Sequence, residues 1–303
     1  MEITLGPVLF DWSKEDFHKF YDSVCDMPVD RVYVGEVVCV KKKGMGLKDI
    51  DAVAEKLDKA GKKVVLSTLG VMSSEKEIAL ARALVGRQYT VEANDMGVFN
   101  MVESDERFKD KDITAGPLII NYNKETINIM EDMGVTRVVF PVELSKESIV
   151  HGMEGSKSMT YEIFAHGKAP LAFSWKCYTL KSYGLLRGQC ENQCALDPDG
   201  MEIKTMEGVP TFTINGTSIL SAFTYNLVEY VEDIKEAGIN AIRISPHYEH
   251  TAKIVDVYRK RIDGKLTGEE GMALLKDTSP QGFCNGYYLG SAGKDYIGLK
   301  QGV

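Results

Sequence analysis

Short runs of β-branched and apolar residues alternate with longer amphipathic stretches along most of this chain, and few folds accept such an alternation. EITLGPVLF at 2–10 reads as a strand. SKEDFHKFYDSV at 13–24 follows as a helix, with Ser13 as N-cap and Phe17, Phe20, Tyr21 and Val24 at helical spacing. RVYVGEVV at 31–38 then precedes LKDIDAVAEKLDKAGK at 47–62, which stops at Gly61. KVVLSTLG with SSEKEIALARALV, and YTVEAND at 89–95 with a short helix, continue the rhythm. DITAGPLIINYN at 112–123, TRVVFPVEL and MTYEIFAHG at 159–167 supply strands five to seven. INAIRISPH at 239–247, followed by TAKIVDVYRKRIDG, closes the series as the eighth unit. Short connections favour parallel strands with right-handed crossovers, and eight such units predict a (β/α)8 barrel. A doubly wound open sheet is the runner-up, but GPVLFDWS lacks the glycine fingerprint that would favour it.

One unit departs from the rhythm. Residues 168–218 read as an insertion on the rim of a single barrel domain spanning 1–303. They carry a turn-rich stretch suited to a small hairpin, and a helix is expected over 219–236 (ILSAFTYNLVEYVEDIKE). The Gly-rich tail 265–303 has no assigned place.

The insertion also holds Cys177, Cys190 and Cys194, spaced C-x12-C-x3-C, while Cys39 follows the second strand far upstream. In a barrel, the loops after strands two and seven open on the same face, so the four thiols are expected to converge there. Four thiolates suit zinc or an iron–sulfur cluster. Structural zinc sites usually show two short Cys pairs, and here only Cys190 and Cys194 form one, which tilts the reading toward a cluster. Cys25, on the apolar face of the first helix, and Cys284 read instead as buried hydrophobes.

The net charge of -8 argues against nonspecific nucleic-acid binding. The longest basic run, Lys41-Lys42-Lys43, reads first as a solvated loop, with a positive collar near an anionic cluster or substrate as the sharper alternative. The N-terminus has no signal-peptide pattern and no stretch is apolar enough to span a bilayer, so the expected compartment is the cytoplasm, where structural disulfides are rare. Polar residues recur at strand ends: Glu36; Glu92, Asn94 and Asp95; Asn121 and Asn123; Glu162 and His166; His247. Singly, each is expected to cap a helix or satisfy a loop; together they outline a pocket. Lys176 and Arg187 flank the cysteines as donors to cluster sulfur. Neither H-E-x-x-H nor G-x-S-x-G occurs, which argues against a peptidase.

YVGEVVCVKKKGM at 33–45, YEIFAHGKAPLAFSWKCY at 161–178 and GQCENQC at 188–194 resemble the U32 family, historically labelled peptidases, with Glu162, Phe164 and Gly167 matching its E-x-F-x-x-G segment. The cysteine layout is similar to that of the family's ubiquinone-biosynthesis branch. That resemblance implies a [4Fe-4S] cluster on Cys39, Cys177, Cys190 and Cys194. It also implies a heterodimer with a UbiU-like protein, a UbiT-like lipid carrier, and oxygen-independent hydroxylation of a ubiquinone precursor. Where many U32 members carry an I-E-G-R-like segment, this chain has IRISPH at 242–247, which leaves part of the catalytic site to the partner. A zinc-stabilised scaffold without redox role is the alternative.

Overall fold

The computed structural model describes residues 1–42 and 45–299, and of Arg187 the backbone alone. Eight parallel strands form a closed barrel: β1 (Glu2–Leu5), β2 (Arg31–Gly35), β3 (Lys63–Ser67), β4 (Thr90–Ala93), β5 (Ile113–Ala115), β6 (Val135–Val139), β7 (Thr160–Phe173) and, after three rim strands, β11 (Ala241–Ile244). Closure is made by β11, which pairs with β7 on one side (Ala241 opposite Glu162) and with β1 on the other (Ala241 opposite Glu2). The expected (β/α)8 architecture is therefore present, and the open-sheet alternative is excluded by those two ladders.

Helices between the strands cover the barrel: α1 (Lys14–Val24), α2 (Leu47–Lys59), α3 (Glu75–Val85), α4 (Met96–Glu103), α5 (Lys124–Asp132) and α6 (Lys146–Met153). Their starts are set by local chemistry. Ser13, Ser74, Asp95, Asn123 and Ser145 each accept a backbone N–H of the first turn. Ile50, Val53, Ala54 and Leu57 give α2 one buried stripe, each large side chain contributing roughly 1.5–3 kcal/mol. Along the strands, period-two alternation sends Ile3, Leu5, Val32, Val34, Val64 and Leu66 into the core under the helices. The intervening residues face the barrel axis.

The rim differs from expectation. β7 is fourteen residues long and runs out of the barrel into an antiparallel sheet with β10 (Ser218–Asn226), β9 (Pro210–Asn215) and β8 (Met201–Lys204). The stretch expected as a helix over 219–236 is thus strand β10 to Asn226, followed only by a 3-10 turn and the short helix α8 (Val231–Glu236). The reason is alternation: Ser218, Leu220, Ala222 and Thr224 are buried between half-exposed neighbours, a two-residue period inside an apolar run that also reads as helical. The fifth strand is likewise only three residues long, because Gly116 and Pro117 end it. A five-residue helix α7 (Tyr178–Ser182) carries Cys177 at its start. Past α9 (Thr251–Ile262), the tail forms α10 (Gly268–Leu275) against α9 and a two-residue strand β12 (Phe283–Cys284) beside β10. Residues 300–303 lie outside the described residues. Among the described residues, no helix is long and apolar enough to cross a membrane.

Candidate metal centre and barrel mouth

Three segments meet above the C-terminal end of the barrel: the loop after β1, the loop after β2, and the cysteine-bearing rim. Their meeting is held by hydrogen bonds. Thr217 donates to the Val38 carbonyl at 3.0 Å, and Asn192 Nδ2 donates to the Lys41 carbonyl at 2.8 Å and to Asp11 Oδ2 at 2.9 Å. Lys42 Nζ and Asn215 Nδ2 both donate to the Leu9 carbonyl, at 2.7 and 2.5 Å. The loop after β2 is braced from within, since Glu36 Oε1 accepts the backbone N–H groups of Val38 (2.7 Å) and Cys39 (2.9 Å) and pairs with Lys42 at 3.1 Å. Burial lifts the Glu36 carboxyl above its ordinary range despite Lys42 and those N–H groups. Lys42 is therefore a buried partner of Glu36 and not part of a solvated basic run, which corrects the reading of Lys41-Lys42-Lys43; Lys41 is exposed and Lys43 lies outside the described residues.

Gly35 makes this loop possible. Its φ is +154°, and a Cβ there would sit 2.1 Å from the Ser67 carbonyl oxygen. Gly35→Ala is expected to destabilise the fold by about 3 kcal/mol, through backbone clash and strain, in a urea titration. A change below about 0.5 kcal/mol would show that the loop has room to move.

Cys39, Cys177, Cys190 and Cys194 are all half-buried and none is in a disulfide. The segment of Cys194 is tied to the Cys39 loop by Asn192, and Cys177 begins α7, whose Thr179 hydroxyl accepts the Gly216 N–H beside Thr217. Cys190 ends a 3-10 turn (Arg187–Gln189) four residues before Cys194, and between them Asn192 adopts a left-handed conformation (φ 64°) that folds the loop back toward Asp11. Backbone N–H groups point at two of the sulfurs: that of Leu180 donates to Cys177 Sγ at 3.5 Å, and that of Lys41 to Cys39. Burial nevertheless pushes the Cys39 thiol up. Cys194 is held well above the ordinary thiol range by burial and then by Asp11, whose Oδ2 accepts its S–H at 3.3 Å.

The donor set fits an iron–sulfur centre in its chemistry: four thiols on joined loops, with N–H donors to sulfur. Among the described residues, no three His, Cys, Asp or Glu side chains are grouped tightly enough to hold a single ion. A cubane, with iron at four corners, reaches its thiolates over a wider span than one ion does. Lys176 is exposed; of Arg187, only the backbone is described.

Below this rim the barrel interior is polar. Glu162, fully buried, accepts from Thr4 (2.8 Å) and Arg243 Nε (2.6 Å) at Oε1, and from Tyr33 and Arg137 (both 2.9 Å) at Oε2. Arg243 also lies 2.7 Å from Glu92 Oε1 and stacks on the Tyr33 ring at 3.9 Å. Glu92 Oε2 accepts from Ser67 at 2.6 Å and from Asn94 at 3.2 Å. Burial alone would raise the Glu162 carboxyl, but Arg243 and Arg137 overcome it and hold it below its ordinary range. At the mouth, a small cavity is lined by Glu92, Asn94 and Arg243 and by apolar walls that include Leu118, Phe164 and Phe173. Arg243 Nη2 and Asn94 Oδ1 have no hydrogen-bond partner among the described residues.

Of the polar strand-end residues, Glu36, Glu92 and Asn94 face this mouth or its collar, whereas Asp95 and Asn123 serve as helix caps. Glu162 lies deeper than expected, inside the barrel. His166 lines a separate cleft with His247; burial drives its imidazole down to about 3, so it is neutral. Asp11, Asn192, Arg137 and Arg243 were not singled out from the sequence. For the two arginines a signal existed: a charge in the middle of a buried strand, in TRVVF and INAIRIS. Asp11 and Asn192 sit in loops, where polar residues are unremarkable.

Three curated relatives are named tRNA hydroxylation protein P. Those of Haemophilus influenzae and Escherichia coli are each 24% identical, over 264 and 261 residues, matching 69% of this chain and 57% of their own length. That of Helicobacter pylori strain 26695 is 26% identical over 199 residues, matching 57% of this chain and 46% of its own. The chain thus spans about half the length of these relatives. Among solved structures, a sialic acid aldolase from Aliivibrio salmonicida aligns over 92% of this chain and 79% of its own at TM-score 0.51 and 7% identity, a likeness of fold alone. The U32 peptidase Mk0906 aligns over 82% of this chain and 93% of its own at TM-score 0.46 and 9% identity. The sequence profile of peptidase family U32 matches residues 15–298, and the chain belongs to that family.

Proposed function

We propose that this chain is a UbiV-like subunit that holds a [4Fe-4S] cluster through Cys39, Cys177, Cys190 and Cys194. In this reading it works with a UbiU-like partner and a UbiT-like lipid carrier in the oxygen-independent hydroxylation of a ubiquinone precursor. The carrying observation is the junction at the barrel rim, where Asn192 and Thr217 tie the cysteine-bearing segment to the Cys39 loop. The names of the curated relatives support hydroxylation as the reaction class.

A cluster bound there supplies one-electron chemistry. The chain's own groups supply the setting. The N–H groups of Leu180 and Lys41, directed at Cys177 and Cys39, would draw negative charge from the sulfurs of a bound cluster, which would raise its potential. Arg243, fixed by Glu162 and Glu92, and Asn94 both line the mouth, and Arg243 Nη2 and Asn94 Oδ1 have no partner among the described residues. The apolar walls exclude water.

The test is genetic and chemical. In a bacterium that depends on this protein for quinone made without oxygen, Cys177→Ala is expected to abolish ubiquinone in anaerobic culture and leave aerobic ubiquinone unchanged. Normal anaerobic quinone in that strain would overturn the reading.

A further inference from the structure

The two loops that carry the candidate ligands are basic in an acidic chain. Between Glu36 and Asp49 the charged side chains are Lys41, Lys42, Lys43 and Lys48. Between Glu162 and Glu191 the chain holds Lys168, Lys176, Lys181 and Arg187, and no Asp or Glu. The protein as a whole has 44 Asp and Glu against 36 Lys and Arg. Two of these lysines turn inward: Lys42 pairs with Glu36, and Lys168 donates to the Ala222 carbonyl. Lys41, Lys48, Lys176 and Lys181 are exposed. Because Asn192 and Thr217 join the two loops, these charges gather at one end of the barrel.

The same rim exposes large apolar side chains. Trp175, two positions before Cys177, is 52% exposed; Leu186, four before Cys190, is 74% exposed; Leu196, two after Cys194, is 69% exposed. Tyr183, just past α7, is exposed as well. Within α7, Thr179 and Leu180 turn inward, so the segment is anchored on the rim sheet. Aromatic and aliphatic side chains set among charges form the pattern of a protein-docking face.

The occupant follows from charge and from what lies beneath. A positive face on a negative protein steers acidic partners toward it. It repels a second copy of the chain, since a two-fold contact here would set lysines against lysines. A nucleic acid would meet net negative charge beyond the patch. The four candidate thiols are half-buried within these loops, so a cluster on them would lie close enough to the surface to exchange an electron with a docked protein. Electron-transfer partners dock through small faces and release quickly, which suits a patch of this extent.

We propose that this rim docks an acidic one-electron carrier protein over Trp175, Lys176, Lys181 and Leu186, and that the carrier reduces the cluster. One electron leaves the carrier's reduced centre and enters the oxidised cluster; no bond forms or breaks and no proton moves. The proposal deepens the reading given above and rests on it for the electron acceptor.

Full-length protein purified without oxygen would be titrated by calorimetry with an acidic plant-type [2Fe–2S] ferredoxin, a basic c-type cytochrome, phosphatidylglycerol vesicles and bulk tRNA. Ferredoxin alone is expected to bind, and about tenfold more weakly at about 200 mM than at about 20 mM salt. Lys176→Glu with Lys181→Glu should weaken binding at least about tenfold, and Trp175→Ala by a similar factor. Lys59→Glu with Lys157→Glu makes the same change of net charge at the opposite end of the barrel, where Lys59 closes α2 before β3 and Lys157 precedes β7. That pair should leave binding within about twofold of the parent. In rapid mixing, the lysine variant should reoxidise reduced ferredoxin about tenfold more slowly than the parent. No ferredoxin binding, an equal loss in the control pair, or a preference for cytochrome, vesicles or tRNA would overturn the proposal. Iron and sulfide measured on the same samples separate it from the cluster reading. Both present without lysine-dependent binding refutes the docking alone. Both absent with lysine-dependent binding refutes the cluster and its reduction and leaves the docking face.

Discussion

Glu162→Ala is expected to lower the stability of this protein by about 3–5 kcal/mol, the usual result of removing one partner from a buried ionic network. The carboxylate accepts four hydrogen bonds, from Thr4, Tyr33, Arg137 and Arg243, in a position with no solvent exposure. Its loss leaves two guanidinium groups in the barrel with too little negative charge around them. Arg243 keeps Glu92, and Arg137 keeps Glu2, so the network is weakened and not dissolved. The same site predicts a pH dependence. In the folded protein the Glu162 carboxyl lies below its ordinary value of 4.5, so its contribution is present in full above that value. It is lost as the pH falls through the lower, folded-state value. Glu162→Gln should therefore be less stable than the parent near neutrality and lose less further stability between pH 4.5 and the acid transition. Urea titrations at pH 7 and below pH 4 measure both effects. Equal stability of parent and Glu162→Ala at pH 7 would show that the network contributes nothing net.

Replacing any one of Cys39, Cys177, Cys190 and Cys194 by Ala is expected to remove most of the bound iron and sulfide, because a cubane held by three thiolates has an open, oxygen-sensitive corner. Cys25→Ala and Cys284→Ala serve as controls. Cys25, the C-cap of α1, donates to the Tyr21 carbonyl in the last turn of that helix, and Cys284 is buried in β12 against β10. Both should retain the full complement. The contrast between the two groups matters more than either result alone, since a general loss of fold would affect all six. Cys190→Ala is the most informative member, as its place in the set rests on sequence spacing and on its loop. Full iron and sulfide in that variant would remove it from the ligands.

Much of this was legible in the chain. The barrel followed from periodicity, because helices and strands in alternation leave few ways to bury both faces. The meeting of the loop after β2 with a rim segment more than 100 positions away could be expected because barrel geometry puts the loops after strands two and seven on one face. The rim was harder to read. SILSAFTYN has enough apolar residues for a helix, and only pairing with β7 and β9 makes it a strand, which is a tertiary effect. The fate of the basic run was equally invisible: Lys42 is buried because Glu36 and the Leu9 carbonyl meet it there, and neither is near in the pattern of charges. Glu162 was visible as a strand-end carboxylate, but its depth depends on Arg137 and Arg243 facing the axis from two neighbouring strands. Unpaired atoms such as those of Asn121 can be found only once the surroundings are placed.

If the four thiols at the barrel rim hold an iron–sulfur cluster, iron and sulfide must be present together. Iron and acid-labile sulfide assays, with visible absorption, on protein purified without oxygen test it most directly. About four iron and four sulfide per chain, with a broad brown absorption, are expected. Zinc without sulfide, and no visible absorption, would contradict it and leave the chain as a thiolate-stabilised scaffold.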